Sequence, residues 1–256
     1  MEEENLILAK SGSRATITIN RPNKLNAFDK PTILKMTALL NELEHDVSVR
    51  SVVITGAGDR SFCAGTDINY LSSIKTKEEA DSFIDSVQEI GFIIEKMDKV
   101  VIAAINGYCM GLGNEIAMSC DIRIAIKEAK FSQPEIRLGV LPGAGGTQRL
   151  TQIIGIAKAK EMIFTGDAIT AGEALSLGLV NYVVEKDGLN AKVDEIIGRI
   201  NQNSFNAVKN IKRSINEGFQ LKGYKLEKEM FAACFVHPDR KEGIDAFLSK
   251  RKPNFE

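Results

Sequence analysis

Val100-Val-Ile-Ala-Ala-Ile105 runs directly into Asn106-Gly-Tyr-Cys-Met-Gly-Leu-Gly-Asn-Glu115 and then into Ile116-Ala-Met-Ser119. The first six residues are apolar throughout, without alternation, which predicts a strand covered on both faces, as in a parallel sheet. Gly111 and Gly113 let the backbone turn sharply and approach a ligand closely. The segment from Ile116 predicts a helix, and the free amides at its amino end favour negative charge there. A phosphate or a developing oxyanion suits such a place.

The same texture recurs on both sides of this stretch. Ser51-Val-Val-Ile-Thr55 is a second strand of the covered kind. Between the two lies a long helix opened by the capping box Thr76-x-x-Glu79, with Phe83, Ile84, Val87, Ile90, Ile94 and Met97 as its buried stripe. Strand and helix in alternation predict an α/β fold with right-handed crossovers. Nearer the amino end, alternating segments at 5–10 and 14–20 flank the turn Ser11-Gly-Ser13, and Arg21-Pro22-Asn23 ends the second. Asp29 is expected to cap a helix whose apolar face carries Ile33, Leu34, Met36, Leu39, Leu40 and Leu43. Beyond Pro142 the pattern is mostly helical, broken by a brief strand at 179–184. Two regions are expected: residues 1–190 as an α/β core with the functional site, and residues 191–256 as a helical appendage. That appendage must bury its apolar faces against the core or against another subunit.

At 256 residues and 44% hydrophobic content, the chain can bury a core of ordinary size without staples. A formal net charge of -1 provides no general attraction to DNA, RNA or anionic lipid, so neither nucleic acid nor membrane is expected as a partner. Cys63, Cys109, Cys120 and Cys234 show no C-x-x-C spacing and have apolar neighbours, which predicts buried thiols in a reducing compartment and no metal site. The two histidines sit at helix ends: His45 closes an amphipathic helix and His237 precedes Pro238. Acid–base chemistry therefore falls to carboxylates. The amino terminus opens with acids, followed by the short apolar run Leu6-Ile-Leu-Ala9, and resembles neither a secretory signal nor a transit peptide. No apolar stretch approaches the ~20 residues of a membrane span. A cytoplasmic protein is expected.

Three segments could carry chemistry. The first is the turn before Glu115. Its Gly111-x-Gly113-x-x-Ile116 half-resembles a dinucleotide-binding turn, but Ile116 replaces the third small residue and the preceding strand is not the first in the chain. The second is Phe131-Ser-Gln-Pro-Glu135, followed by Gly139-Val-Leu-Pro-Gly-Ala-Gly-Gly-Thr147, which sets Glu135 on a shaped loop near another helix. Two carboxylates in apolar surroundings that share a water suit proton exchange between water and carbon. From spacing alone, each glutamate reads first as a helix cap or a surface acid. The third is Arg60-Ser-Phe-Cys-Ala-Gly-Thr-Asp67, where Ala64-Gly65 permits close approach and the Thr66 amide offers a second oxyanion donor.

Taken together with Ile17-Thr-Ile-Asn-Arg-Pro-x-Lys-Leu-Asn-Ala27, Phe62-Cys-Ala-Gly-x-Asp67, Asn106-Gly107, Asn114-Glu115, Gln133-Pro-Glu135, Pro142-Gly-Ala-Gly-Gly-Thr-Gln-Arg-Leu150 and residues 247–255, the chain resembles the crotonase superfamily. Within it the chain is most similar to the enoyl-CoA hydratases. The resemblance implies a spiral of repeated ββα units with a C-terminal helical region for trimerisation, in homotrimers or in homohexamers built as dimers of trimers. It implies reversible hydration of a 2-enoyl-coenzyme A thioester, with coenzyme A as part of the substrate and no separate cofactor. The amides of Thr66 and Leu112 would form the oxyanion hole. Glu115 would activate the water and Glu135 would exchange a proton with the α-carbon, with the Gly143 amide orienting the water. Lys24, Ala27, Ala64, Asp67 and Ile68 would line the coenzyme A path, and Lys250 would meet the nucleotide phosphate.

Two departures stand out. The family commonly has three small residues where this chain has Gly111-Leu112-Gly113, and Thr66 replaces the usual alanine or leucine before Asp67. Ile68, Tyr70, Leu71, Leu138 and Leu141 are expected to border the acyl site. Leu112 and Tyr70, as fillers, point to a short substrate such as crotonyl-CoA, and 3-hydroxypropionyl-CoA dehydration would fit the same site. Superfamily relatives include isomerases, which can work with the Glu135 equivalent alone, and RNA-binding homologues. Retention of both glutamates argues for hydration, and the charge balance argues against RNA.

Overall fold

A computed structural model describes residues 4–217, 228, 229, 231, 232 and 235–253. In chain order the elements are β1 (Leu6–Ser11), β2 (Arg14–Ile19), α1 (Lys30–His45), β3 (Ser51–Gly56), β4 (Ser61–Cys63), α2 (Ile68–Ser73) and α3 (Lys77–Lys96). There follow β5 (Val100–Ile105), β6 (Tyr108–Met110), α4 (Leu112–Ser119), β7 (Ile122–Ile126), β8 (Lys130–Ser132), α5 (Gly146–Ile154) and α6 (Ile156–Thr165). The remainder comprises β9 (Ile169–Thr170), α7 (Ala171–Ser176), β10 (Tyr182–Val184), α8 (Leu189–Asn201), α9 (Phe205–Glu217) and α10 (Pro238–Leu248).

The strands sort into two sheets: a larger one in the order β1-β2-β3-β5-β7-β10 and a smaller one in the order β4-β6-β8-β9. Among the described residues, only β1–β2 and β8–β9 pair antiparallel. From β3 onward, β3, β5 and β7 are each followed by a three-residue strand, and they are neighbours in one sheet as β4, β6 and β8 are in the other. The chain thus advances one strand in both sheets per turn, which is the expected spiral of ββα units. All six residues of β5 are buried, as its unbroken apolar run predicts.

The short strands were not legible as strands. With three residues each, β4, β6 and β8 carry no measurable period, and the sequence presents them as loops. The strand expected at 179–184 is likewise shorter: only Tyr182–Val184 pairs with β7, opposite Ile124–Ile126. The helix starts behave as their chemistry dictates. The Asp29 side chain accepts from the Thr32 amide at 3.0 Å, and Thr76 and Glu79 form a reciprocal capping box. The buried stripe of α3 contains Phe83, Ile84, Val87, Ile90 and Ile94.

The helices beyond β10 pack back on the preceding elements: α8 on the large sheet, α9 on α3 and α10 on the turn Pro134–Leu138. The boundary expected at 190/191 falls in the first turn of α8, which packs on β5 and β7 and buries Val193, Ile196 and Ile197. On α9, the buried Lys212 ammonium donates to the carbonyls of Ile94 and Lys99 and pairs with Asp121 at 2.8 Å. Helix α10 abuts the turn Pro134–Leu138 so tightly that a Cβ on Gly243 would stand 2.4 Å from the Leu138 carbonyl carbon. Among the described residues, no helix is long and apolar enough to cross a membrane.

Burial raises the pKa of Asp121, so its ionised form depends on Lys212. Lys212→Met leaves that carboxylate without its ammonium and is expected to cost about 3–5 kcal/mol at neutral pH. A carboxyl whose folded pKa lies above its unfolded value stabilises most below the unfolded value and loses that contribution as pH rises through the folded one. The deficit of the variant should therefore shrink on acidification, which urea melts at neutral and mildly acidic pH will read.

Candidate active site

The small sheet organises the site. β4 ends at Cys63 and leads into Ala64-Gly65-Thr66; β6 ends at Met110 and leads into Gly111-Leu112; β8 ends at Ser132 and leads into Gln133-Pro134-Glu135. These three strands are parallel neighbours, so their carboxyl ends open on the same side. Ligands of α/β folds bind at such ends. There the chain encloses a cavity of about 540 Å³.

Lys24, Ala27, Ala64, Thr66, Asp67 and Ile68 line this cavity together with Leu112, Glu115, Glu135 and Gly143. The residues expected at the catalytic centre and along the coenzyme A path therefore border one space, except Lys250. Lys250 is exposed and follows α10, whose Phe247 and Leu248 do line the cavity. Its backbone is left-handed (φ 53°), and its amide donates to the Phe247 carbonyl at 3.1 Å.

Two backbone amides meet at the mouth of the strand ends. Thr66 bridges to Phe28, but the bonds of that bridge run from the Phe28 amide to the Gly65 carbonyl and from the Asp67 amide to the Phe28 carbonyl, both at 2.8 Å. The Thr66 N–H takes no part in the bridge. Leu112 is the first residue of α4, so its N–H has no carbonyl within its own helix. Gly65 (φ 109°) brings the two together: a Cβ on it would stand 3.8 Å from the Leu112 nitrogen. Leu112, which stands where the family commonly has a small residue, is itself buried.

Glu115 sits in the first turn of α4 and is 3% exposed. Its Oε1 accepts from the amides of Ala144 and Gly146, each at 2.8 Å. Two donors on one oxygen fix the carboxylate's orientation. Glu135 lies on the short 3-10 turn Pro134–Leu138 and is half-buried. Gly111 (φ 52°) lets its carboxylate lie against the start of α4, since a Cβ there would stand 2.9 Å from Glu135 Oε1. A buried hydrogen bond from Asn114 Nδ2 to Gln133 Oε1, at 2.9 Å, joins the two glutamate-bearing segments. Two carboxylates and two amides thus converge on one apolar-walled cavity, an arrangement able to move protons beside a developing oxyanion.

Other positions differ from expectation. Asp67 borders the cavity, yet its Oδ1 accepts from the Asn69 amide at 3.0 Å to cap α2, and its Oδ2 pairs with Arg21 at 3.2 Å. Arg21 also pairs with Asp29 and donates to the Ala27 carbonyl, so it shapes this wall. Tyr70 does not line the cavity but packs edge-on against Phe83, with ring centroids 5.7 Å apart. Ile68, Leu71, Leu138 and Leu141 do line it as expected, and Phe83, Ile84, Val87 and Phe231 complete the apolar wall. Phe83 and Ile84 share the period of a core stripe, and no sequence signal separates a residue facing a cavity from one facing a neighbour. Phe231 comes from the far end of the chain. Cys63, Cys109 and Cys120 are free and buried, and burial pushes the thiols of Cys63 and Cys120 up to about 12, which makes them inert. Cys234 lies outside the described residues.

The sequence matches the enoyl-CoA hydratase/isomerase family over residues 9–256. It is 44% identical to a crotonyl-CoA hydratase of Syntrophomonas wolfei over 100% of this chain and 99% of that one. To a short-chain-enoyl-CoA hydratase of Clostridium acetobutylicum it is 45% identical, covering 98% and 97%. Among solved structures, an enoyl-CoA hydratase from Bacillus anthracis superposes with a TM-score of 0.81 at 34% identity, covering 98% of this chain and 99% of that one. One from Mycobacterium avium subsp. paratuberculosis superposes with a TM-score of 0.89 at 28% identity, covering 99% of each. On fold, site and sequence alike, the chain belongs to the enoyl-CoA hydratase/isomerase family of the crotonase superfamily.

Proposed function

We propose that this protein is an enoyl-CoA hydratase, adding water reversibly across the double bond of a short 2-enoyl-CoA to give the 3-hydroxyacyl-CoA. The observation that carries the reading is the convergence of Glu115 and Glu135 beside the Thr66 and Leu112 amides in one cavity. The thioester carbonyl accepts from those two amides. Glu115 takes a proton from water as the water oxygen bonds to the β-carbon. The electron pair of the double bond moves onto the thioester oxygen as an enolate, where the amides stabilise it; one such donor is worth about 3 kcal/mol in the transition state. Glu135, protonated at the outset, gives its proton to the α-carbon as the carbonyl re-forms. Hydroxyl and proton add to the same face of the double bond, and a proton passing from Glu115 to Glu135 resets the pair. The Gly143 amide orients the water. No electrons are exchanged, and coenzyme A is a part of the substrate. Lys24, Ala27, Ala64 and Ile68 border its path, Asp67 braces that wall through Arg21, and Lys250 supplies charge for the nucleotide phosphate.

A double-bond isomerase needs only one carboxylate. The fixing of Glu115 by two amides favours hydration, which requires a held water, and both relatives cited above are named as hydratases of short substrates. Glu115→Gln and Glu135→Gln should each lower kcat by roughly 10²–10⁴-fold, followed as loss of conjugated-thioester absorbance from crotonyl-CoA. Wild-type rates in Glu115→Gln would favour isomerase chemistry instead.

The short-chain assignment rests on the apolar wall. A Cβ on Gly143 would stand 2.4 Å from Ile84 Cδ1 and 2.8 Å from Phe231 Cδ2, so these side chains abut the loop that bears the water-orienting amide. Dehydration of 3-hydroxypropionyl-CoA fits the same space. Crotonyl-CoA should show kcat/KM at least about ten-fold above a ten-carbon enoyl-CoA, the equivalent of ~1.4 kcal/mol; equal values would overturn the assignment.

The protein is further proposed to be cytoplasmic and to assemble as a homotrimer or a dimer of trimers, through helices in the 191–256 region. On α9, Ile211 and Ile215 lie one turn apart and are 58% and 57% exposed, beside a groove lined by Met118, Ile153 and Val208. Sedimentation at micromolar concentration should return three or six times the 28.0 kDa chain mass; a monomer would exclude it.

A further inference from the structure

The loop that holds Glu115 is itself held, from a helix that supplies no group to the reaction. The Gly143 carbonyl and the Ala144 N–H belong to one peptide plane, and in a trans peptide they point in opposite directions. The N–H donates to Glu115 Oε1 at 2.8 Å; the carbonyl accepts from Gln88 Nε2, also at 2.8 Å. A hydrogen bond at one end of the plane therefore aims the other end, and the chain of bonds polarises along its length.

Gln88 is 5% exposed and lies on α3 inside the apolar stripe of Ile84, Val87, Ile90 and Ile94. A buried amide in that stripe is costly unless its hydrogen bonds are made. The same helix face continues the grip. Ile84, Gln88, Gly91 and Glu95 follow one another at i+4, i+3 and i+4 spacing and so share one side. Arg149 Nη1 donates to the Ala144 carbonyl at 2.7 Å, and its Nε pairs with Glu95 Oε1 at 2.6 Å. Gly91 leaves the space this needs, since a Cβ there would stand 2.6 Å from Arg149 Nη2.

We propose that Gln88 is a positioning residue for hydration: through the Gly143–Ala144 peptide it sets the orientation of Glu115, with Arg149 and Glu95 fixing the adjoining carbonyl. The proposal rests on the reading of Glu115 as the water-activating carboxylate. Gln88 is not among the residues that line the cavity. Its loss should act on kcat and not on coenzyme A binding.

The test compares Gln88→Met, Gln88→Glu, Glu115→Gln and the double variant Gln88→Met/Glu115→Gln in crotonyl-CoA hydration across pH, with a thermal melt of each. Methionine keeps length and apolar volume but removes the donor. Gln88→Met should lower kcat by about 10- to 100-fold, with KM within about two-fold of wild type. In the double variant it should cost less than about two-fold beyond Glu115→Gln, because its effect passes through that carboxylate. Gln88→Glu can donate only when protonated, so its kcat relative to wild type should recover at the acid end and fall as pH rises, a pattern that general loosening of the fold does not produce. Should Gln88→Met not fold, that acid-end recovery decides the matter alone. Near-wild-type kcat in Gln88→Met, an additive loss in the double variant, or a Gln88→Glu kcat that shows no acid-end recovery would each overturn the positioning role while leaving Glu115 in place. Wild-type kcat in Glu115→Gln would overturn the reading of Glu115 and this proposal with it.

Discussion

A carboxylate buried to 3% exposure is costly to the fold unless hydrogen-bond donors replace the water it has left, and Glu115 obtains two of them from a single loop. Much of the architecture around the site answers that requirement. The loop must bring two amides to one oxygen, so it contains glycine at 146, where a Cβ would stand 2.8 Å from Glu115 Oε1. Backbone without side chains is loose, so the loop must be held from outside, which Gln88 and Arg149 do. Those two need a straight, rigid support, and α3 supplies it over 20 residues that begin at a full capping box.

The spiral topology explains how residues far apart in the chain reach one cavity. Each turn places a long strand in the large sheet and a short one in the small sheet, so successive turns end side by side. Thr66, Leu112 and Glu135 follow the ends of three adjacent short strands, and their relative positions are set by the ladder bonds between those strands. The large sheet holds this arrangement rigid from behind, with strands such as β5 buried along their entire length. A site built on parallel strand ends keeps its backbone groups preorganised, an arrangement suited to stabilising developing charge with little reorganisation.

Asp67 shows how a residue can sit at the expected place in a different role. Its position beside Ala64-Gly65-Thr66 draws it to the cavity wall, but its oxygens serve the cap of α2 and the ion pair with Arg21. Tyr70 similarly supports Phe83 from behind without reaching the cavity. In both cases the side chain acts on the site through a neighbour, a distinction that depends on where the side chain points.

Local chemistry was enough to read the covered strands, the caps at Asp29 and Thr76, the tight turns around Gly65 and Gly111, and the motif set that marks the family, because each rests on residues close together in sequence. The candidate site was legible as a set of positions for the same reason: its groups lie immediately after short strands, on turns whose glycines are visible. Four things required the tertiary structure. The three-residue strands of the small sheet are too short to carry a period and exist only because their neighbours pair with them. The Gln88 amide is indistinguishable in sequence from a polar residue on a helix surface until the Gly143 carbonyl meets it across 55 positions of chain. Phe231 joins Phe83 on the apolar wall only through the return of the terminal helices. The way the apolar wall is completed follows from that contact, since non-local packing, unlike a cap or a turn, has no signature in any one stretch of sequence.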